Sequence, residues 1–323
     1  MVAVLVLSRR DVESLLDLDD LVDAVAAAMV DLSQGRASMP PRVAAAVPDR
    51  DGMLAVMPAF LPSTGALVTK LVSLFPHNRD RPTHQAVICV VDPDNGTPLA
   101  LMDGTYVTAT RTAAGSALAT RLLAREGATV VSVIGTGVQA RTHGRALARH
   151  PGIEVVQIAG RDPAAVERLV EELAAAGVPA TPARSVEGAV RTADIVCAAT
   201  HASSPVVCRR WVRPGTHVNS VGYNTAGEGE VDAETIRDAI VVVESRAAVL
   251  APPPSGAVEL RGIADDQLVE LGELAAGDAT GRRTDADITL YKSVGVAVQD
   301  AAAAALVLAG ARAAGVGTDV PMD

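Results

Sequence analysis

The run Val130-Val131-Ser132-Val133-Ile134 leads straight into Gly135-Thr136-Gly137-Val138-Gln139-Ala140, and a helical pattern starts at once. That order suits the seating of a pyrophosphate. A tight turn at Gly135, a side-chain-free approach at Gly137 and a small residue at Ala140 put free amides and the positive end of a helix dipole beneath the anion. The glycines alone signify little. A strand, a turn and a helix in sequence, inside a longer βα series, make a nicotinamide dinucleotide the expected ligand, with Thr136, Val138 and Gln139 completing the turn. Where the next strand ends, at the place of an acid for the ribose hydroxyls, stand Gly160, Arg161 and Asp162. Arg161 offers a partner for a 2′-phosphate, so NADP(H) is the preferred cofactor, and Asp162 keeps NAD(H) open.

These residues need a scaffold. From about Thr129, short apolar runs alternate with Ala-rich helical segments, the pattern of parallel βαβ units. Strands are predicted at Thr129–Ile134, Glu154–Ala159, Asp194–Ala199, His217–Val221 and Ala239–Val243, and helices at Gln139–Arg149, Ala164–Ala176 and Val186–Thr192. Such a series builds an α/β Rossmann domain, a doubly wound parallel sheet. The first 110 or so residues read differently. A first strand, a helix over Asp19–Gln34 and strand-like runs at Leu54–Met57, Gly65–Leu74 and Gln85–Asp92 predict a second, α+β domain. An Ala-rich helix over Val296–Ala314 reads as a packing helix. The expected division is 1–112 plus 295–323 against 113–294.

With 323 residues there is room for two cores. No uninterrupted apolar run reaches the length of a membrane helix, and the N-terminal run lacks the basic lead of a secretory signal. A formal charge of −10, with aromatics at only 2%, argues against nucleic-acid or anionic-lipid partners. Cys89, Cys197 and Cys208 are odd in number and widely spaced, which fits a reducing cytoplasm. His77, His143, His150, His201 and His217 form no metal-ligand spacing, and no metal is expected.

Several further segments carry a resemblance: Met39-Pro40-Pro41-Arg42, Thr69-Lys70, Thr83-His84-Gln85-Ala86, Leu101-Met102-Asp103-Gly104 and Thr110-Arg111-Thr112-Ala113-Ala114. Downstream lie Trp211-Val212-Arg213-Pro214-Gly215, Val218-Asn219-Ser220-Val221-Gly222, and Leu290-Tyr291-Lys292-Ser293-Val294-Gly295 with Gln299-Asp300. Together with the Gly-x-Gly-x-Gln-Ala turn, they make the chain resemble the ornithine cyclodeaminase/mu-crystallin family from about Pro40 to Gln299. The resemblance implies a homodimer whose N-terminal segments and last helix form the substrate-binding and dimerisation domain. It also implies a substrate whose carbon bears both nitrogen and a carboxylate, a small imino or amino acid. Members include cyclising deaminases, alanine dehydrogenases and reductases of ketimines and cyclic imino acids.

Carried over by motif, Arg42, Lys70 and Arg111 surround the substrate carboxylate. A planar guanidinium holds a carboxylate in a fixed plane, and Lys70 adds a compact charge. Thr83, His84, Arg111, Thr112, Thr200, Val221 and Ser293 resemble positions that line the nicotinamide or phosphates. For His84 a structural role and a proton-donating role both stay open.

One departure directs the choice of chemistry. Cyclodeaminases carry an aspartate after Val-Gly and a lysine a few residues on, where this chain has Asn224 and Glu228. An amide cannot accept a proton from an ammonium, so oxidative cyclisation loses its base. Reduction of a ready-made imine asks for less: a hydride donor, a carboxylate clamp and one proton, from Lys70 as the catalytic acid, from a water or from the iminium itself. The expected activity is an NAD(P)H-dependent oxidoreductase that reduces a 2-imino acid or interconverts a 2-keto acid and an amino acid. The alternatives are a lyase in which Glu228 or Glu230 replaces the aspartate, and a non-catalytic protein that binds NADPH and a small carboxylate.

Overall fold

The computed structural model describes residues 3–222, 227, 229–252 and 255–322. The chain divides into two compact units, Met1–Arg111 with Val296–Asp323, and Thr112–Gly295.

The first unit opens with β1 (Ala3–Leu7), α1 (Arg9–Leu15) and α2 (Leu18–Ser33). The Asp17 carboxylate caps α2 by accepting the Asp19 and Asp20 amides at 2.8 and 3.2 Å. Next come β2 (Val43–Val47), β3 (Gly52–Leu61), β4 (Ala66–Leu74), β5 (His84–Val91) and β6 (Pro98–Asp103), then the start of α3 (Gly104–Leu123). Strand β3 runs well past the predicted Leu54–Met57. Pro58 is tolerated within it because the last β2 pair is Val43↔Val56. Beyond that pair its nitrogen faces an open edge, on the side where Phe60 bridges Ser38.

Burial alternates residue by residue along β3, so one sheet face is core and the other is open. The core face carries Ala55, Met57, Val68, Lys70, Val72, Ala86 and Ile88. Helices α2 and α10 (Ala297–Ala314) pack together over it, with α10 against β3 and β4. Although α10 is long and apolar enough to cross a membrane by composition, Ala297–Ala304, Val307, Leu308 and Ala311 are buried inside the unit. It is a core helix. β15 (Thr318–Pro321) then pairs with β1, giving a mixed sheet in the order β15-β1-β6-β5-β4-β3-β2. Its open face exposes Val6, Leu54, Leu71, Val87 and Leu101.

The second unit takes up the rest of α3 and continues with β7 (Val130–Ile134), α4 (Val138–Leu147), β8 (Val155–Ala159), α5 (Pro163–Ala175), β9 (Ala180–Pro182), α6 (Val186–Thr192) and β10 (Ile195–Ala198). β11 (His217–Ser220), α7 (Ala233–Asp238), β12 (Ala239–Val243), α8 (Arg246–Val249), β13 (Leu268–Glu270), α9 (Leu271–Ala276) and β14 (Ile288–Lys292) complete it. All eight strands are parallel, in the order β13-β12-β14-β11-β10-β7-β8-β9. The chain leaves β7 to one side for β8 and β9, then crosses to the other side for β10. That reversal is the switch point where doubly wound sheets bind ligands at their strand C-termini. This is the Rossmann fold expected from the sequence.

Candidate active site

In the second unit the turn after β7 lies at this switch point. Gly135 has φ of +125°, and a Cβ there would collide with the Ala199 carbonyl oxygen. Its amide donates to Ala159 O at 2.8 Å, tying the turn to β8. Gly137 is the N-cap of α4 and supplies no side-chain cap, while a Cβ on it would meet open space. The helix start thus has no side-chain cap and no crowding at Gly137, which fits the close approach of a pyrophosphate. Ala140 is fully buried against the sheet. Past β8, a Cβ at Gly160 would press on Thr136, so these two loops pack closely. Arg161 is exposed and makes no ion pair among the described residues. The Asp162 carboxylate is engaged within its own loop, where it caps α5 by accepting the Ala164 amide at 3.0 Å.

Two buried glutamates fix the loops beyond β10, β11 and β14. Glu230 accepts from the Thr200 amide at 2.6 Å and the Thr200 hydroxyl at 2.7 Å. Its other oxygen accepts from Ser220 Oγ at 3.0 Å and the Gly222 amide at 2.6 Å. Glu244 accepts from Ser293 Oγ at 2.9 Å and from the Val294 and Gly295 amides, both at 2.8 Å. Lys292, also buried, pairs with Glu259 at 2.8 Å and donates to Gly222 O at 2.9 Å. Thr200, Val221 and Ser293 are thus held at strand ends, the hydroxyls of Thr200 and Ser293 already donating to protein. Glu230 is corrected as a replacement base: with four donors on two oxygens, it is a brace for Thr200 and Gly222. Asn224 and Glu228 lie outside the described residues.

The first unit holds a compact charged cluster on the core face of its sheet. Lys70 of β4 stands 2.7 Å from Asp300 Oδ2, and Arg111 Nε lies 3.1 Å from Oδ1 of the same carboxylate. Arg111 Nη1 also donates to Gln299 Oε1 at 2.8 Å. All four side chains are buried. Helix α10 places Gln299 and Asp300 in its first turn, where the helix dipole also favours an anion. Helix α3 presents Arg111 two turns after its start. The Asp103 carboxylate anchors that start by accepting the Tyr106 amide at 2.7 Å, and Thr108 Oγ1 bonds back to Gly104 O at 2.6 Å.

Burial pushes the Lys70 ammonium down to about 8, opposed by Asp300 and reinforced by the positive charges of Arg111 and Arg42. Burial would raise the Asp300 carboxyl, but Lys70 and Arg111 outweigh it and hold the group below the usual range. Arg42 is half-buried just before β2 and close enough to be felt by Lys70. His84 opens β5, and its pKa falls to about 4 through burial and the neighbouring Lys70 and Arg111. The His84 imidazole is therefore neutral near pH 7. Thr83 is exposed beside it, its carbonyl accepting the Phe75 amide at 2.8 Å. Thr112 is buried in α3.

Lys70 and Arg111 share the Asp300 carboxylate, and Arg42 adds positive charge near Lys70. Among the described residues, no group of three or more His, Cys, Asp or Glu side chains could hold a metal ion. The chain matches the model of the ornithine cyclodeaminase/mu-crystallin family over residues 2–314. It belongs to that family. Mouse ketimine reductase mu-crystallin is 36% identical over 292 residues, 89% of this chain and 90% of that protein. The Thermococcus litoralis Δ(1)-pyrroline-2-carboxylate reductase, solved in complex with NADH and L-proline, superposes with a TM-score of 0.92 at 37% identity, covering 98% of this chain and 100% of that one. An archaeal alanine dehydrogenase dimer with bound NAD gives a TM-score of 0.90 at 32% identity over 99% and 100% of the two chains.

In this family member the pair Gln299-Asp300 is visible in the sequence as a motif, but its role is not, and nothing there singles out Glu244 or Glu259. A signal existed for Asp300. An acid inside an apolar, Ala-rich helix must be exposed or paired, and α10 has too little polar surface to expose it.

Proposed function

We propose that the chain is an NAD(P)H-dependent oxidoreductase that reduces a 2-imino acid. The substrate class is a ketimine such as Δ1-pyrroline-2-carboxylate or Δ1-piperideine-2-carboxylate, or the imine formed in the site from a 2-keto acid and an amine, in which case the enzyme is an amino-acid dehydrogenase. The observation that carries this reading is the buried Lys70–Asp300–Arg111 cluster with Arg42 beside it, in a chain that also holds the Gly135 turn and an uncapped helix start.

In this reading Arg42 and Arg111 orient the substrate carboxylate. Of the five N–H donors of the Arg111 guanidinium, one on Nε and one on Nη1 are used on Asp300 and Gln299. Those contacts fix its plane before the substrate arrives, and preorganisation of this kind is where positioning gains its rate. When bound, NAD(P)H would supply the hydride for carbon 2. Lys70 supplies the proton to the nitrogen. With its pKa near 8 it is largely protonated at pH 7 yet gives up the proton far more readily than an ordinary lysine. Solvent reloads it between turnovers. The amides of Val138, Gln139 and Ala140 would hold the pyrophosphate, and Thr136, Gly160, Thr200, Val221 and Ser293 would line the rest of the cofactor.

NADP(H) is the preferred cofactor in this proposal, because Arg161 is exposed with no ion pair among the described residues while Asp162 is turned to its helix cap. NAD(H) is the alternative, supported by the NADH and NAD held by the solved relatives. We further propose a homodimer built on the open face of the first unit's sheet, where Val6, Leu54, Leu71, Val87 and Leu101 are exposed. A cytoplasmic setting accords with the cysteines, described as three free thiols. The lyase reading loses Glu230 as a base and rests on Glu228, outside the described residues, and on the relatedness to cyclodeaminases.

Oxidation of NADPH and NADH by the purified protein, with the two cyclic imino acids and with pyruvate plus ammonia or methylamine, tests the reading. Turnover that is lost in Arg42→Ala and Arg111→Ala is expected. No turnover with any pair, despite cofactor binding, would overturn it in favour of the lyase or a binding protein.

A further inference from the structure

Gln299 is fully buried and lies in the first turn of α10, next to Asp300. Arg111 Nη1 donates to its Oε1 at 2.8 Å, which settles the orientation of the amide. The opposite orientation would set one donor against another, so the amide nitrogen is forced to the other side. There, Nε2 has no acceptor among the described residues. A buried amide donor left unsatisfied costs about 1–3 kcal/mol, and few groups in a native core carry that cost without a reason. The donor belongs to the same cluster as Lys70 and Arg111, where Arg42 adds positive charge near Lys70.

We propose that Gln299 is a substrate-binding residue: its Nε2 donates to a carboxylate oxygen of the ligand, beside Arg111. The proposal rests on the imino-acid reading above and deepens it. Arg111 then has two functions, gripping the carboxylate and aiming the Gln299 amide at it. A carboxylate with two oxygens and about four lone-pair sites accommodates both donors, whereas a neutral carbonyl ligand would gain less from either. Gln299 thereby contributes to selection of acids over their esters and amides.

Two variants of the full-length protein separate this role from a merely structural one. Gln299→Glu keeps the oxygen that Arg111 grips and exchanges only the unpaired donor for an acceptor. Gln299→Met removes both polar atoms at similar length. Steady-state kinetics with an imino acid that the wild type reduces, inhibition by the product amino acid, and NAD(P)H affinity from fluorescence titration are the readouts. A rise of roughly tenfold or more in KM and in the inhibition constant is expected for Gln299→Met, and a larger one for Gln299→Glu. The change in kcat should be smaller than the change in KM, and the cofactor affinity should match wild type. If Gln299→Glu binds cofactor and keeps wild-type KM and inhibition, the proposal is overturned while imino-acid reduction stands. A wild type that binds no small carboxylate would overturn both.

Discussion

Replacing Asp300 with asparagine keeps the shape of the side chain but removes the one anion between Lys70 at 2.7 Å and Arg111 at 3.1 Å. Breaking a buried ion pair from one side typically costs about 3–5 kcal/mol. Lys70 has an escape, because its ammonium already titrates near 8 with the anion present. Without Asp300 its pKa falls further, and near neutral pH the group sheds its proton, which holds the loss near the lower end of that range, about 3 kcal/mol. For a unit of this size that corresponds to a fall in Tm of roughly 6–12 °C. The pH dependence has a definite sign. Lys70 is depressed from 10.5 to about 8, so between those values the unfolded chain holds a proton that the folded chain has lost. Stability from this group therefore rises with pH across the window, and in Asp300→Asn the window extends to lower pH. Thermal unfolding followed by circular dichroism from about pH 6 to 9, alongside kcat/KM for imine reduction, reads both effects. Wild-type kcat/KM should fall as pH rises through about 8, and the variant's fall should begin at lower pH. A small carboxylate ligand should raise the variant's Tm more than the wild type's, because it restores an anion to the cluster. An unchanged alkaline limb together with a Tm within about 2 °C of wild type would refute this reasoning.

Gly135→Ala should weaken NAD(P)H binding by about a hundredfold or more, measured by fluorescence titration, because φ of +125° and the Ala199 carbonyl both exclude a Cβ. Glu230→Gln turns one acceptor into a donor facing the Ser220 and Gly222 donors or those of Thr200; cofactor affinity should fall about tenfold while circular dichroism stays native, and wild-type affinity would remove its bracing role. The double substitution Leu71→Asp with Val87→Asp places charges on neighbouring strands of the open sheet face, and sedimentation should then report a monomer where the wild type is a dimer; a dimer that persists would move the interface elsewhere.

Parts of this architecture are legible in the sequence for physical reasons. Strand β12 and helix α6 coincide with their predicted spans, since an apolar run between polar boundaries and a Ser185 cap are local signals. The Gly135 turn is readable because its chemistry is backbone chemistry, encoded by the residues that lack side chains. Strand β14 escapes notice: Ile288, Thr289, Leu290, Tyr291 and Lys292 are all buried, so no alternation marks it, and its neighbours β11 and β12 are distant in sequence. Helix α3 is hidden by its threonines and by burial on both faces, which erases the period of 3.6 that would reveal it. The resemblance brings Lys70 and Arg111 together, but the place of Asp300 between them lies beyond reach for a different reason. Lys70, Arg111 and Asp300 come from β4, α3 and α10, and only the packing of α10 against the sheet brings Asp300 to the two cations. Likewise Glu230 reads as a candidate base in the sequence and as a saturated brace in the fold.

Net transfer of a hydride to carbon 2 of an imino acid is read out by isotope transfer from the cofactor. With NADPH or NADH deuterated at carbon 4 of the nicotinamide and Δ1-pyrroline-2-carboxylate in ordinary water, one equivalent of oxidised cofactor per product is expected. From one of the two C4 stereoisomers, the product should carry deuterium at carbon 2. Proline formed from ornithine with release of ammonia and no net cofactor oxidation, or a product free of deuterium from both stereoisomers, would contradict it.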